Sequence, residues 1–376
     1  MAHTDPFDAG HINFEGPKTN RFHDNGPSLP TEDEGNPFAE LNFTDSAQQQ
    51  RETIREAAAE PPTPRSSPRP AGSTPSLPHK AKRKTPKGRG KAKKSFFPLN
   101  TSSQPPHNPS VIGTVKLPVS GSFVVTTCTR KGGVGSTTCL FAIGNALAEH
   151  RNAKVIIADF TPEGGELNDL VVTEHDATIG DFAAVVDTVS SYRHVRQFTS
   201  MCPSGLEVLG TNTSRVNEPP LTPDKAQAII DCLTRHYDIV LVDAGSVIRS
   251  PTLTKLLERT DHLLIVSAGA GGMRGGIWTA NHLTDQVTFP SSHCRHLVDG
   301  MTVIINEAFQ SSVVSPEKAA EAFEQVGRKA VRVPFDPAVE GGAPFDLSAA
   351  SASFQNAITE AAASIVSVVR AERSPR

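Results

Sequence analysis

Cysteine is scarce in this chain of 376 residues: five are present, Cys128, Cys139, Cys202, Cys232 and Cys294, with no CxxC spacing among them. That pattern suggests neither a zinc site nor a disulfide framework, and it fits a reducing compartment. Long apolar runs are missing too, since no segment approaches the roughly 20 apolar residues that a membrane span needs. The opening MAHTDPFDAG lacks a basic start followed by an apolar stretch, so a soluble, cytoplasmic chain that is not exported is expected. Thirteen histidines are scattered without metal-ligand pairing, and His23, His79, His293 and His296 read as surface residues. No Ser-His-Asp arrangement can be read, DAGSV is not a GxSxG elbow, and no internal repeat is found.

The net charge of −3 conceals an asymmetry. Residues 1–60 hold twelve Asp/Glu against four Lys/Arg, whereas residues 61–100 hold eleven Lys/Arg and no acid. Pro, Ser, Gly, Asn and charges dominate this first part, which cannot bury enough apolar surface to offset its ordering entropy. A disordered, Pro-rich arm over 1–110 is therefore expected. Two islands within it, NPFAELNF and SAQQQRETIREAAAE, have the character of docking segments for a protein partner or of residual tail composition. Nine Lys/Arg fall between Lys80 and Lys94, broken by prolines and glycines that prevent a continuous helix. Such a flexible polycation binds phosphates by counterion release, so residues 80–94 are a candidate contact for DNA, RNA or an anionic membrane; the bland alternative is a solvated linker.

From about residue 110 the texture changes. SFVVTTC, KVIIAD, LEVLG, DIVLVD, HLLIVSA, TVIINEA and VRVPFD read as buried strands, with helix-like segments between them. Thr222-Pro-Asp and Ser315-Pro-Glu carry the hydroxyl, proline and acid of a helix start. Apolar strands alternating with amphipathic helices predict an α/β fold, a mainly parallel sheet with helices on both faces. Ligands of such sheets bind at the C-terminal ends of the strands, which is where the run TRKGGVGSTT stands. Gly132, Gly133 and Gly135 let successive backbone amides point at one centre, and the following helix adds its positive end. Thr137 lies two residues past the last glycine, where a hydroxyl can ligand Mg²⁺. Asp159 and Asp243 end later strands.

These residues carry a family resemblance. KGGVGSTT resembles the deviant phosphate loop of the ParA/MinD superfamily, usually KGGVGKTT, and VIIADFTPEGG and YDIVLVDAGS resemble its second-strand and Walker B motifs. VIIN ending at Asn306, then VPFD with Pro334, resemble its later strands and adenine-side segments. The likeness covers about residues 115–371, and it implies a P-loop NTPase-like domain over 111–371 with a tail at 372–376. It implies ATP and Mg²⁺ as cofactors, contacted by Lys131, Gly132, Gly133, Val134, Gly135, Ser136, Thr137, Thr138, Asn306 and Pro334, with Thr137, Asp159 and Asp243 on the metal side. Lys131, Asp159 and Asp243 take the catalytic places, Lys131 by reaching across an ATP-dependent homodimer.

Two departures bear on turnover. The internal lysine of the loop is Ser136 here, and the second aspartate of the second-strand motif is Thr161. Losing both removes phosphate charge and water positioning together, so slow or absent hydrolysis is expected while binding persists. A small residue at the lysine position is also a feature of the CpaE/TadZ branch, whose members localise pilus machinery. A long arm ahead of such a domain resembles accessory proteins of actinobacterial secretion and conjugation systems. Two readings stay open. One is a nucleotide-dependent dimeric scaffold that recruits a secretion, pilus or conjugation machine; the other is an active partitioning or positioning ATPase on the nucleoid or a membrane.

Overall fold

Four runs of branched apolar residues become the middle of one sheet. Phe123–Thr127 (β1), Val155–Asp159 (β2), Ile239–Asp243 (β5) and His262–Ser267 (β6) are buried at every position. A strand buried on both faces has no reason to alternate polar residues, which explains their continuous apolar character. The computed structural model describes residues 108–161, 164–211, 219–285, 292–308, 314–340 and 344–373. The acidic stretch, both docking islands, the basic run 80–94, His23 and His79 lie outside the described residues.

Four further strands complete the sheet: Ser200–Met201 (β3), Glu207–Leu209 (β4), Thr302–Asn306 (β7) and Lys329–Val333 (β8). Their order is β3-β4-β2-β5-β1-β6-β7-β8. Every pairing is parallel except that of β3 with β4. β3 is a two-residue antiparallel edge that the sequence reading did not contain.

Helices lie on both faces, numbered here in chain order. Pro109–Val115 (α1), Ser136–Arg151 (α2) and Ala352–Arg373 (α10) contribute to one core with Val125, Leu241 and Ile304. The other core takes Ile179–Val185 (α3), Pro223–Leu233 (α5), Pro251–Glu258 (α6), Gly269–Thr284 (α7), Ser292–Gly300 (α8) and Pro316–Gln325 (α9). A short turn of helix at Tyr192–Val195 (α4) flanks β3 in sequence. α1 straddles the expected boundary at 110/111.

Several helix starts follow from local chemistry. Thr222, Ser250 and Ser315 cap α5, α6 and α9 through their side chains, each followed by a proline. Thr178 and Asp181 form a reciprocal capping box on α3. α2 is unusual in having Cys139 through Ala148 all buried, because the sheet lies on one side and α10 on the other. Ile358, Ile365, Val366 and Val369 of α10 are buried in that packing, and Val368 is half-buried. No described helix is long and apolar enough to cross a membrane.

Two polar networks fasten the periphery. Glu207 is buried at the start of β4, where its carboxylate accepts from the hydroxyls of Tyr192, Tyr237 (2.5 Å) and Thr199 (2.8 Å). Arg196 stands 3.8 Å away. At the end of α10, Arg373 donates to the carbonyls of Ser120 (2.7 Å) and Ser122 (2.8 Å) and to Asp261 Oδ1 (2.6 Å). The other oxygen of Asp261 accepts from the amide of Val124 at 2.8 Å, so the chain's last described turn is tied to the entrance of β1. The five cysteines are free and buried, and burial pushes the Cys128 and Cys139 thiols up to about 12, leaving them unreactive near neutral pH.

Candidate functional site: a phosphate loop beside two buried carboxylates

β1 runs up the centre of the sheet and hands the chain to the glycine loop, which passes directly into α2. Two residues of the loop take left-handed backbone, Gly133 at φ +72° and Gly135 at φ +83°. Gly135 is required for space as well as for conformation. A Cβ built there would meet Asn306 Nδ2 at 2.4 Å, far inside contact distance. Asn306 sits at the end of β7 and donates from that nitrogen to the carbonyl of Val134 at 3.0 Å, which fixes the loop's crest. Val134 itself is buried.

Lys131 is exposed, its backbone held by Thr129, whose hydroxyl accepts from the Lys131 amide at 3.3 Å. A Cβ at Gly275 would lie 3.5 Å from that of Lys131, so the lysine stands against α7. Its neighbour Arg130 lays its guanidinium over Trp278, 4.3 Å from the ring centroid. Ser136, Thr137 and Thr138 form the first turn of α2, with their amides at the positive end of the helix.

The acids come from two adjacent strands. Asp159 and Asp243 are register partners at the ends of β2 and β5, both buried to within 1% of full enclosure. Thr137 Oγ1 donates to Asp243 Oδ2 at 2.5 Å, and the Gly245 amide donates to Oδ1 at 3.0 Å. Asp159 accepts from the Thr161 amide (2.9 Å) and the Thr211 hydroxyl (3.0 Å). Burial, reinforced by the charge of Asp243, pushes Asp159 up to about 6. Burial likewise raises Asp243, against the lowering effect of its bonds from Thr137 and Gly245. Two enclosed carboxylates that disfavour each other's charge suit a cation.

Thr211 and Gly165 were missing from the sequence reading. Thr211 follows β4, parallel to β2, so its hydroxyl arrives beside Asp159; the signal available was a hydroxyl ending a strand next to a strand-end acid. The Gly165 amide donates to the same hydroxyl at 2.9 Å, and a Cβ on Gly165 would fall 2.2 Å from Asp159 Oδ2. Thr161 presents its amide and a methyl-bearing side chain near Gly245, and no carboxylate stands at that position.

On the other side of the loop a cavity of about 280 Å³ is bounded by Gly135, Thr138, Asn306, Pro334, Phe335 and Phe354, with Glu166 and Glu340 also at its wall. The structure thus brings Gly135, Thr138, Asn306 and Pro334 around one cleft and sets Thr137, Asp159 and Asp243 together, whereas Lys131, Gly132, Gly133, Val134 and Ser136 do not line that cavity. Among the described residues no cluster of three or more His, Cys, Asp or Glu is arranged to hold a metal by itself. The donor set therefore fits a cation shared with a phosphate: one hydroxyl, two carboxylates and a cradle that a single Cβ would fill.

The sheet, its order and the strand–loop–helix passage define a phosphate-loop α/β fold. More particularly, the structural neighbours are ParA/MinD family ATPases, and the fold is theirs. A ParA family ATPase from Chlorobium tepidum TLS aligns over 64% of this chain and 98% of its own, with 20% identity and a TM-score of 0.51. No protein-family model matches the chain. Among curated proteins, the ESX-1 secretion-associated protein EspI of Mycobacterium tuberculosis (strain H37Rv) is 25% identical over 253 residues, 65% of this chain. The chain spans 36% of that relative's length. The uncharacterized protein Rv1708 of the same strain is 26% identical over 210 residues, which is 54% of this chain and 64% of the relative.

Proposed function

We propose that this chain binds Mg-ATP at the loop and works as a nucleotide-dependent dimeric scaffold for a secretion-type machine, with little or no hydrolysis. One observation carries the reading: the loop, Thr137 and the Asp159–Asp243 pair are intact, while the two places that would drive turnover hold Ser136 and Thr161. Amides of Gly132 to Thr138 cradle the phosphates, and Thr137 and Asp243 offer two oxygens to the metal, with Asp159 behind them. Bound Mg²⁺ supplies charge that offsets the phosphates and the two acids. Asn306 and Pro334 border the cleft for the base. Lys131, exposed at the loop's rim, is free to reach phosphates of a second copy.

Ser136 has no ammonium to place on the phosphates, and Thr161 has no carboxylate to orient water. Each such group commonly contributes about 2.7–4 kcal/mol to a transition state, so their joint loss favours a bound, unhydrolysed state. The likeness to a protein described as secretion-associated supports the scaffold over a partitioning role. In this reading the residues ahead of α1 dock a protein partner, and residues 80–94 meet DNA or an anionic membrane.

The test measures Mg-ATP binding by calorimetry, dimerisation by light scattering with a slowly hydrolysed analogue, and phosphate release. Binding and a dimer are expected in the unmodified chain, with the dimer lost in Lys131→Ala. Phosphate release is expected near background and raised in Ser136→Lys/Thr161→Asp more than in either single variant. Brisk hydrolysis by the unmodified chain would overturn the scaffold and favour an active partitioning ATPase; no ATP binding by folded protein would overturn both.

A further inference from the structure

A second cavity opens at the opposite end of the strands from the loop, where β1 and β5 begin and Lys154 leads into β2. It measures about 400 Å³, within the size range of small-molecule clefts. Arg151, Lys154, Arg235 and His236 stand around it, against a single carboxylate, Asp238. Asp238 is already engaged, accepting from the Lys154 amide at 2.8 Å. Arg151 spends one terminal nitrogen on the carbonyls of Val115 and Leu117, the latter at 2.8 Å. Its Nε is buried without a partner, and so is Nε2 of His236.

The negative ends of α2 and α5 fall here, which accounts for cations gathering at this end of the strands. It does not account for the open volume between them, or for one buried guanidinium and one buried imidazole nitrogen without partners. Buried polar atoms of this kind are ordinarily satisfied by an ion or by water. We propose that this cavity is a second anion site, which takes the phosphate group of a small soluble solute. Arg151 and Arg235 are the charge-assisted donors; Asp238, one oxygen held by the Lys154 amide, offsets part of the Arg151 charge and leaves the cavity wall net positive.

The neighbourhood of His236 gives an internal reporter. Burial first, then the charges of Arg235 and Lys154, lower its pKa; Arg151 and Asp238 complete the charged groups of the cavity wall. An anion that offsets the two cations moves the His236 titration upward.

The experiment titrates inorganic phosphate into the full chain carrying Gly135→Val, which closes the phosphate loop. Binding is read by equilibrium dialysis and the His236 ring by NMR. One phosphate per chain is expected, with the His236 titration shifted upward. Arg235 is exposed, so Arg235→Ala should keep the fold while weakening phosphate at least about tenfold, and Arg235→Lys should recover part of the loss. If Gly135→Val does not fold, Arg235→Ala alone should bind one phosphate fewer than the unmodified chain. Phosphate binding indifferent to Arg235→Ala, with an unmoved His236 signal, would overturn the site and leave water as the partner of both nitrogens. ATP binding at the loop is read separately, so neither result decides the other.

Discussion

Glu207 at the start of β4 and the Asp159–Asp243 pair at the ends of β2 and β5 are carboxylates buried in the same sheet, yet their surroundings differ in kind. Glu207 is met by three hydroxyl donors and has Arg196 at 3.8 Å. The aspartates have amides, two threonine hydroxyls and each other, with no cationic side chain bonded to either among the described residues. A buried charge is tolerated when neighbours satisfy it, so Glu207 acts as a fastening. The aspartate pair is unfinished in the same sense, and burial raises both carboxyl pKa values. Incomplete satisfaction, rather than burial alone, separates a site from a support.

The sharpest break of this contrast is to disable the site without touching either carboxylate. Gly135→Val adds atoms where a Cβ already falls 2.4 Å from Asn306 Nδ2, on a backbone at φ +83°. Mg-ATP affinity should drop at least about 1,000-fold, a loss of about 4 kcal/mol, by calorimetry. Retained affinity would mean that nucleotide does not use the loop.

The next largest effect tests the fastening. Glu207→Ala strands the hydroxyls of Tyr192, Tyr237 and Thr199 in a buried space, and should lower unfolding free energy by about 3 kcal/mol in urea titrations. Nucleotide affinity should stay within about threefold of the unmodified chain, because Glu207 pairs with Ile156, away from the strand ends that carry the two aspartates. A strong loss of ATP binding would erase the distinction drawn between the two acids.

The smallest effect has the opposite sign. Asp159 titrates near 6 in the folded chain against 3.8 in its ordinary state, so between these values the folded state keeps a proton that the unfolded chain has lost. Ligand-free stability therefore falls as pH rises from about 4 to about 6, then levels off. Asp159→Asn should lessen that slope, leaving the part that Asp243 contributes, and stabilise the ligand-free protein at pH 7.5 by about 1–2 kcal/mol, while weakening Mg²⁺-dependent ATP binding. A destabilised Asp159→Asn would show that the carboxylate is already satisfied without metal.

Much of this contrast could be read before any coordinates. Strand runs such as FVVTT and IVLVD are apolar because both faces are covered, and the proline-led caps at Thr222 and Ser315 are local chemistry. The loop was legible for the same reason, since its glycines, Thr137 and the helix start are contiguous. Asp159 and Asp243 stood out as acids ending apolar strands. The Glu207 network was not legible, because residues 192, 199, 207 and 237 meet only through packing of α4, β4 and the turn before β5. Thr211 escaped for the same cause: its value depends on β4 lying next to β2, an order that sequence does not print. The antiparallel β3 is two residues long, too short for any periodic signal.

The Arg373 clamp has a practical side. One guanidinium holds the last described turn of α10 to Ser120 and Ser122, at the mouth of β1. The last described turn and the residues that enter β1 are thus close neighbours, so a short linker can join Arg373 to that stretch and new ends can be opened in a surface loop elsewhere. A rearranged gene of that kind would keep the sheet and the loop while attaching residues 1–107 at a different point of the folded unit. It would turn their point of attachment into an experimental variable, separable from their sequence. Trimming α10 back past Arg373, by contrast, would untie the start of β1, and a purification tag is better placed beyond that residue than in exchange for it.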